Sequence, residues 1–124
     1  MKLYHGTNET RARIILTEGL LPQPINLRIW NKGGTAKPRP EHRATSVYLC
    51  NNLELALSYA QYAARKEGCS PAILTIALPH TENLRADDDY LRISNPLDYR
   101  NWETAFLITG QVAHESSISP EFIS

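Results

Sequence analysis

Hydrophobic and polar positions along the chain fall into short strand-like and helix-like stretches on either side of one long polar interruption. Residues 2–5 read as a short strand running into a turn at Gly6. Thr7 and Asn8 offer N-cap oxygens, and Ala12, Ile14, Ile15 and Leu16 supply the apolar positions of a short helix that Gly19 ends. From Leu21 to Ser46 no period survives. Pro22, Pro24, Pro38 and Pro40, with Gly33 and Gly34, predict a long loop there. Regularity returns with a strand at Ser46–Cys50. Asn51 or Asn52 then caps a helix running to about Glu67, with Leu53, Ala56, Leu57, Ala60, Ala63 and Ala64 on one face and Gly68 as its stop.

Ala72–Leu78 is apolar enough for a strand buried on both faces, and Pro79 ends it. Residues 80–101 are acidic and irregular, with a brief strand around Tyr90–Ile93. Ala105–Ala113 reads as a last strand and Ile118–Ile123 as an edge strand, despite Pro120. The pattern predicts a small α+β domain, rich in strands, with two helices in its N-terminal half.

Composition narrows this only a little. The 124 residues fit a single domain spanning 1–124, long enough to bury a core without staples. Thirteen basic and thirteen acidic side chains cancel, so no whole-molecule field announces a nucleic-acid partner. Cys50 and Cys69 have neither the number nor the spacing of a disulfide framework or zinc site. Both are expected to be free thiols, with Cys50 buried. The opening MKLYHGT does not resemble a signal peptide, and no stretch is long and apolar enough to span a bilayer, so a cytoplasmic protein without a membrane partner is expected.

Candidate chemistry comes in three pieces. His5-Gly6-Thr7 places a histidine beside a glycine, whose missing Cβ lets a ligand approach the backbone. Tyr48 lies on the strand before the long helix and Tyr59 follows eleven residues later, about two turns along it, so two rings can close on one cleft and sandwich a flat heterocycle. Glu103 stands at the mouth of the apolar strand that follows it, where a carboxylate can stabilise an oxocarbenium-like charge. Each piece alone is commonplace: a turn histidine, two boundary tyrosines, a strand-end glutamate.

Together the pieces resemble the ADP-ribosyltransferase superfamily, in particular its His-Tyr-Glu branch, which includes diphtheria-type toxins and poly(ADP-ribose) polymerases. LYHGT matches the opening histidine motif, Tyr48 and Tyr59 keep the interval of the two tyrosines, and Glu103 leads through AFLITG to Gln111-Val112, as in the polymerases. The resemblance implies two packed, mostly antiparallel sheets around an NAD⁺ cleft with a few short helices. It also implies transfer of ADP-ribose from NAD⁺ to a protein, DNA, RNA or small-molecule acceptor, with no metal. His5 would bond the adenosine ribose, the Gly6 backbone would hold the carboxamide, and Thr7 completes that binding motif. Tyr48 and Tyr59 would flank the nicotinamide, and Glu103 would bond the ribose 2′-hydroxyl. His5, Tyr48 and Glu103 form the implied catalytic set.

The chain departs from the polymerases at Ala56, where many carry a serine. Glu115 is a second carboxylate in the same region. By analogy, the small size suits a bacterial or phage toxin or effector with an antitoxin or inhibitor partner. An NAD⁺ glycohydrolase, an RNA 2′-phosphotransferase and a non-catalytic NAD⁺- or ADP-ribose-binding module remain alternatives.

Two further segments bear on partners. The 21–46 loop carries Arg28, Lys32, Lys37, Arg39 and Arg43 against Glu41, with Trp30 able to stack on a base, so it is a candidate cover for the diphosphate or the acceptor. Asp87-Asp88-Asp89 lacks the spaced ligands of a calcium loop, and His42, His80 and His114 lack zinc spacing, so no metal site is expected.

Overall fold

A computed structural model describes residues 1–22, 47–86 and 102–124. The basic residues of the 21–46 loop, Trp30, the Tyr90–Ile93 strand, the three aspartates and His42 lie outside the described residues. Strand β1 (Lys2–Asn8) leads into helix α1 (Glu9–Glu18). Strand β2 (Val47–Cys50) is followed by helix α2 (Leu53–Glu67), strand β3 (Pro71–Ala77) and strand β4 (Leu84–Ala86). Helix α3 (Trp102–Thr109) precedes strand β5 (Gln111–His114), and a 3₁₀ turn covers Pro120–Phe122. The fold is α+β, as the pattern predicts.

The described strands form one antiparallel sheet in the order β3-β1-β2-β5-β4, in place of the two packed sheets that the resemblance implies. β1 pairs with β3 along its whole length, from Lys2↔Ala77 to Asn8↔Pro71. It meets β2 at the single register pair Tyr4↔Cys50. One face of the sheet carries the core, in which Leu3, Ile76, Leu84 and Val112 are fully buried.

Local chemistry explains the helices. Asn8 caps α1 by accepting from Arg11 N at 2.9 Å, and its amide reaches Ala63 O, so a fully buried side chain satisfies two backbone groups. Asn52, not Asn51, caps α2 through Leu55 N, and Gly68 ends it in the left-handed region at φ 67°. The buried face of α2 is entirely alanine: Ala56, Ala60, Ala63 and Ala64. Leu53 and Leu57, expected on that face, are exposed.

Gly6 explains the alanines. β1 does not turn there but continues to Asn8, and a Cβ on Gly6 would lie 2.9 Å from Ala60 N and closer still to the Ala56 carbonyl oxygen. A strand glycine commonly marks such a close backbone approach. Here the approaching backbone is that of α2.

Three more expectations are corrected. β3 runs one residue earlier than Ala72–Leu78, and it buries Leu74 and Ile76 on one face while the other is only half-buried, because it lies at the end of the sheet order. The apolar run after Glu103 is helical to Thr109, and only Gln111–His114 is strand. Gly110, at φ 72°, makes the break and donates to Phe106 O at 2.8 Å. The described residues therefore include a third helix, in the C-terminal half, and their helices hold more residues than their strands. Ile118–Ile123 is not a continuous strand. Two isolated bridges, Leu20↔Ile118 and Ile76↔Ile123, flank the 3₁₀ turn, into which Pro120 fits at the first position.

Candidate functional site

A cavity of about 680 Å³ opens beside β1, between α1 and α2. His5, Gly6 and Thr7 of β1 and Tyr48 of β2 line it, with Tyr59 and Tyr62 of α2 on one wall and Arg11, Ile14 and Ile15 of α1 on another. The volume lies within the roughly 300–1,000 Å³ usual for small-molecule sites. Five residues picked out from the sequence thus converge on one space. Tyr48 and Tyr59 reach it as anticipated, one from a strand and one from the helix that follows it.

Histidine 5 is half-buried, and its Nδ1 lies 2.9 Å from the carbonyl oxygen of Tyr48. A carbonyl can only accept, so Nδ1 carries the proton and the neutral ring keeps a lone pair on Nε2. Burial lowers the His5 pKa below its ordinary value, and the positive charge of Arg11 pushes the same way. The bond to Tyr48 opposes both but does not prevail. His5 therefore lines the cavity as a neutral imidazole at physiological pH. The same bond ties β1 to β2 where their backbone pairing has ended.

Arg11 spans the space between the helices. Its Nε and Nη2 each lie 2.6 Å from one Glu67 oxygen, so an ion pair joins α1 to the C-terminal turn of α2. Both side chains are about a third exposed, where such a pair contributes roughly 0–1 kcal/mol. Its use lies in placement: it fixes a guanidinium on the cavity wall.

Gly6 keeps its place in the lining for a different reason from the one expected. The absent Cβ is filled by the backbone of α2, not left open to a ligand. The close packing brings Tyr59 and Tyr62, three residues apart on one helix face, over the strand that carries His5.

Glu103 is not among the residues that line the cavity. It lies exposed in the first turn of α3, a helix that packs beside β4 and β5, two strands away from β1. The expected strand mouth does not exist there. Neighbouring Trp102 packs against Phe106 and the core, with ring centroids 6.2 Å apart. Glu115, the other carboxylate considered, pairs with Arg85 at 3.1 Å at the β4 edge.

The residue that does begin the late strand is Gln111. It is 2% exposed, and its Oε1 accepts from the Tyr59 hydroxyl. The sequence marked Gln111 only as part of the resemblance and not as a site residue, and it did not single out Arg11 or Tyr62. A polar amide set between Gly110 and Val112 in an apolar stretch was the available signal, and the i, i+3 spacing from Tyr59 was the signal for Tyr62. Nothing in the sequence marks Arg11, whose place comes from the packing of two helices.

Among the described residues no group of three or more His, Cys, Asp or Glu side chains is set to hold a metal, and no helix is long and apolar enough to cross a membrane. Both cysteines are free, Cys50 buried and Cys69 partly so. No protein-family model matches the chain, and no curated protein matches it.

Proposed function

We propose that the cavity binds NAD⁺ and that the chain transfers ADP-ribose from it, taking its first recognition contacts from His5, Tyr48 and Tyr59. The observation that carries this reading is the convergence of these three side chains on one cavity, with His5 held neutral by burial and oriented by the Tyr48 carbonyl. An acceptor nitrogen suits a ribose hydroxyl. The two tyrosines supply faces for a flat ring. The lining fits such a ligand in size and mixed polarity. When NAD⁺ is bound, nicotinamide departs as its ring loses positive charge, so the chain's task is to orient the sugar and to offset the charge that develops on it.

A second reading, an NAD⁺-binding module without turnover, draws support from one specific observation. Glu103 stands outside the cavity lining, and an amide, Gln111, heads β5.

One experiment separates the two. NAD⁺ is titrated calorimetrically into the protein and into His5→Ala. Labelled NAD⁺ is then incubated with the protein and a cell lysate, and the products are treated separately with protease, DNase and RNase. The transferase reading expects saturable binding that His5→Ala weakens, and a label whose sensitivity names the acceptor as protein, DNA or RNA. Binding without nicotinamide release supports the module. Absence of NAD⁺ binding overturns both.

A further inference from the structure

The β1–β3 ladder fixes which way the main chain of β1 points. Met1 and Leu78 exchange backbone bonds at one end, and Glu9 N donates to Ser70 O at 2.8 Å at the other. Hydrogen-bonded pairs alternate along an antiparallel ladder. Leu3, His5 and Thr7 therefore turn their N–H and C=O groups to β3, and Tyr4 and Gly6 turn theirs the opposite way, to β2. On β2, the bond from Asn51 N to Gly110 O sets the odd-numbered residues toward β5, so the main chain of Tyr48 and Cys50 faces β1.

Continuing the register Tyr4↔Cys50 by one hydrogen-bonded pair matches Gly6 with Tyr48. The ladder stops short of that pair, and no backbone bond joins the two residues among those described. Where the Gly6 N–H would donate, the Tyr48 carbonyl instead accepts from Nδ1 of His5, at 2.9 Å. His5, Gly6 and Tyr48 all line the cavity, which opens where continued pairing would have zipped β1 to β2. We infer that His5 is a positioning residue: by giving the Tyr48 carbonyl a side-chain donor, it holds β2 off β1 and leaves the main-chain N–H and C=O of Gly6 turned to the cavity.

The test needs no ligand, so its failure and the failure of the NAD⁺ reading are told apart. Amide exchange is measured by NMR on the wild type, His5→Ala and His5→Gln, together with the scalar coupling across a hydrogen bond from the Gly6 nitrogen to the Tyr48 carbonyl carbon. In the wild type the Gly6 amide is expected to exchange about tenfold or more faster than those of Leu3 and Thr7, which β3 holds, and to show no coupling to Tyr48. In His5→Ala the strands close, so Gly6 exchange slows about tenfold or more and the coupling appears. His5→Gln, whose side-chain amide can still donate to the carbonyl, keeps the wild-type behaviour. A histidine that merely braced the fold would give the reverse, faster exchange along β1 in His5→Ala. That result, or unchanged Gly6 exchange in the folded variant, overturns the inference. Slow Gly6 exchange in the wild type overturns it without any variant having to fold.

Discussion

At the scale of single residues, His5 and Cys50 show how burial sets chemistry. The folded His5 titrates below 6.5 while the unfolded one titrates near it, so the unfolded chain takes up its proton first as pH falls. The sign follows: His5 costs nothing above about pH 6.5 and progressively destabilises the fold below it. The urea midpoint should therefore drop between pH 7.5 and 5.5, and His5→Gln, which cannot charge, should drop by less. Equal drops would mean that His5 is not the group that titrates. Cys50 is shifted the other way. Burial pushes its thiol up to about 11, against the weaker opposite effect of a backbone hydrogen bond at Asn52, and the residue is 2% exposed. Thiolate is the reactive form, so a maleimide at neutral pH should modify the partly exposed Cys69 and leave Cys50 intact until urea unfolds the chain. Tyr59 is the third case. Replacing its ring by alanine removes a face of the proposed slot, at a cost of about 0.5–1.5 kcal/mol beyond area burial. NAD⁺ affinity should fall several-fold in a protein that stays folded, because the side chain is 38% exposed.

At the scale of elements, the contact between β1 and α2 decides most of the site. Gly6→Ala forces a methyl into the α2 backbone, and overpacking of this kind costs about 1–3 kcal/mol. Gly68→Ala costs a comparable 1–2 kcal/mol or so for a different reason, its left-handed φ, since its Cβ meets nothing within 4 Å. Denaturation would not distinguish the two, but ligand titration should. Only Gly6→Ala displaces Tyr59 and Tyr62 relative to His5, so only it should also weaken binding. α2 itself was readable from sequence because its signals are local: an asparagine cap, a left-handed glycine stop and small residues at helical spacing. The convergence of His5, Tyr48 and Tyr59 was readable through their order and intervals. Gly6 was misread because a glycine after a short strand looks alike whether a turn or a helix explains it. The run after Glu103 was misread because a short apolar stretch fits a strand and a helix equally. What decided for helix was Ala105 turning inward while Leu107 and Ile108 face out, a tertiary outcome. Gln111 stood out only as an amide in an apolar stretch, and its place beside the site is likewise a tertiary outcome. Its meaning depends on a tyrosine 52 residues away.

At the scale of the whole molecule, the C-terminal segment closes the structure around the cavity's far end. Leu20 and Ile118 exchange backbone hydrogen bonds of 2.9 Å in both directions, and Thr75 and Ser124 do the same on the outer side of β3. Ile118 and Ile123 fill the core beneath those bonds. Ile118→Ala should cost about 2–5 kcal/mol in urea unfolding, the usual range for a buried isoleucine cut to alanine. A loss well under 1 kcal/mol would show that the segment merely rests on the surface. The sheet has its own division. β3 and β1 are laced along seven register pairs, and β2, β5 and β4 are laced to one another, yet the two sets share only Tyr4↔Cys50 on the backbone. The two sets interleave along the sequence, β2 lying between β1 and β3, so neither can detach as a length of chain. They can still breathe against each other, with β1 and β2 as a hinge line and the His5–Tyr48 bond as a latch across it. Local openings of this kind are the ordinary low-energy excursions of a folded protein. A molecule lodged between His5 and Tyr48 would then act as a rivet, and amide exchange at the β1–β2 line should slow on binding far more than exchange within either laced half.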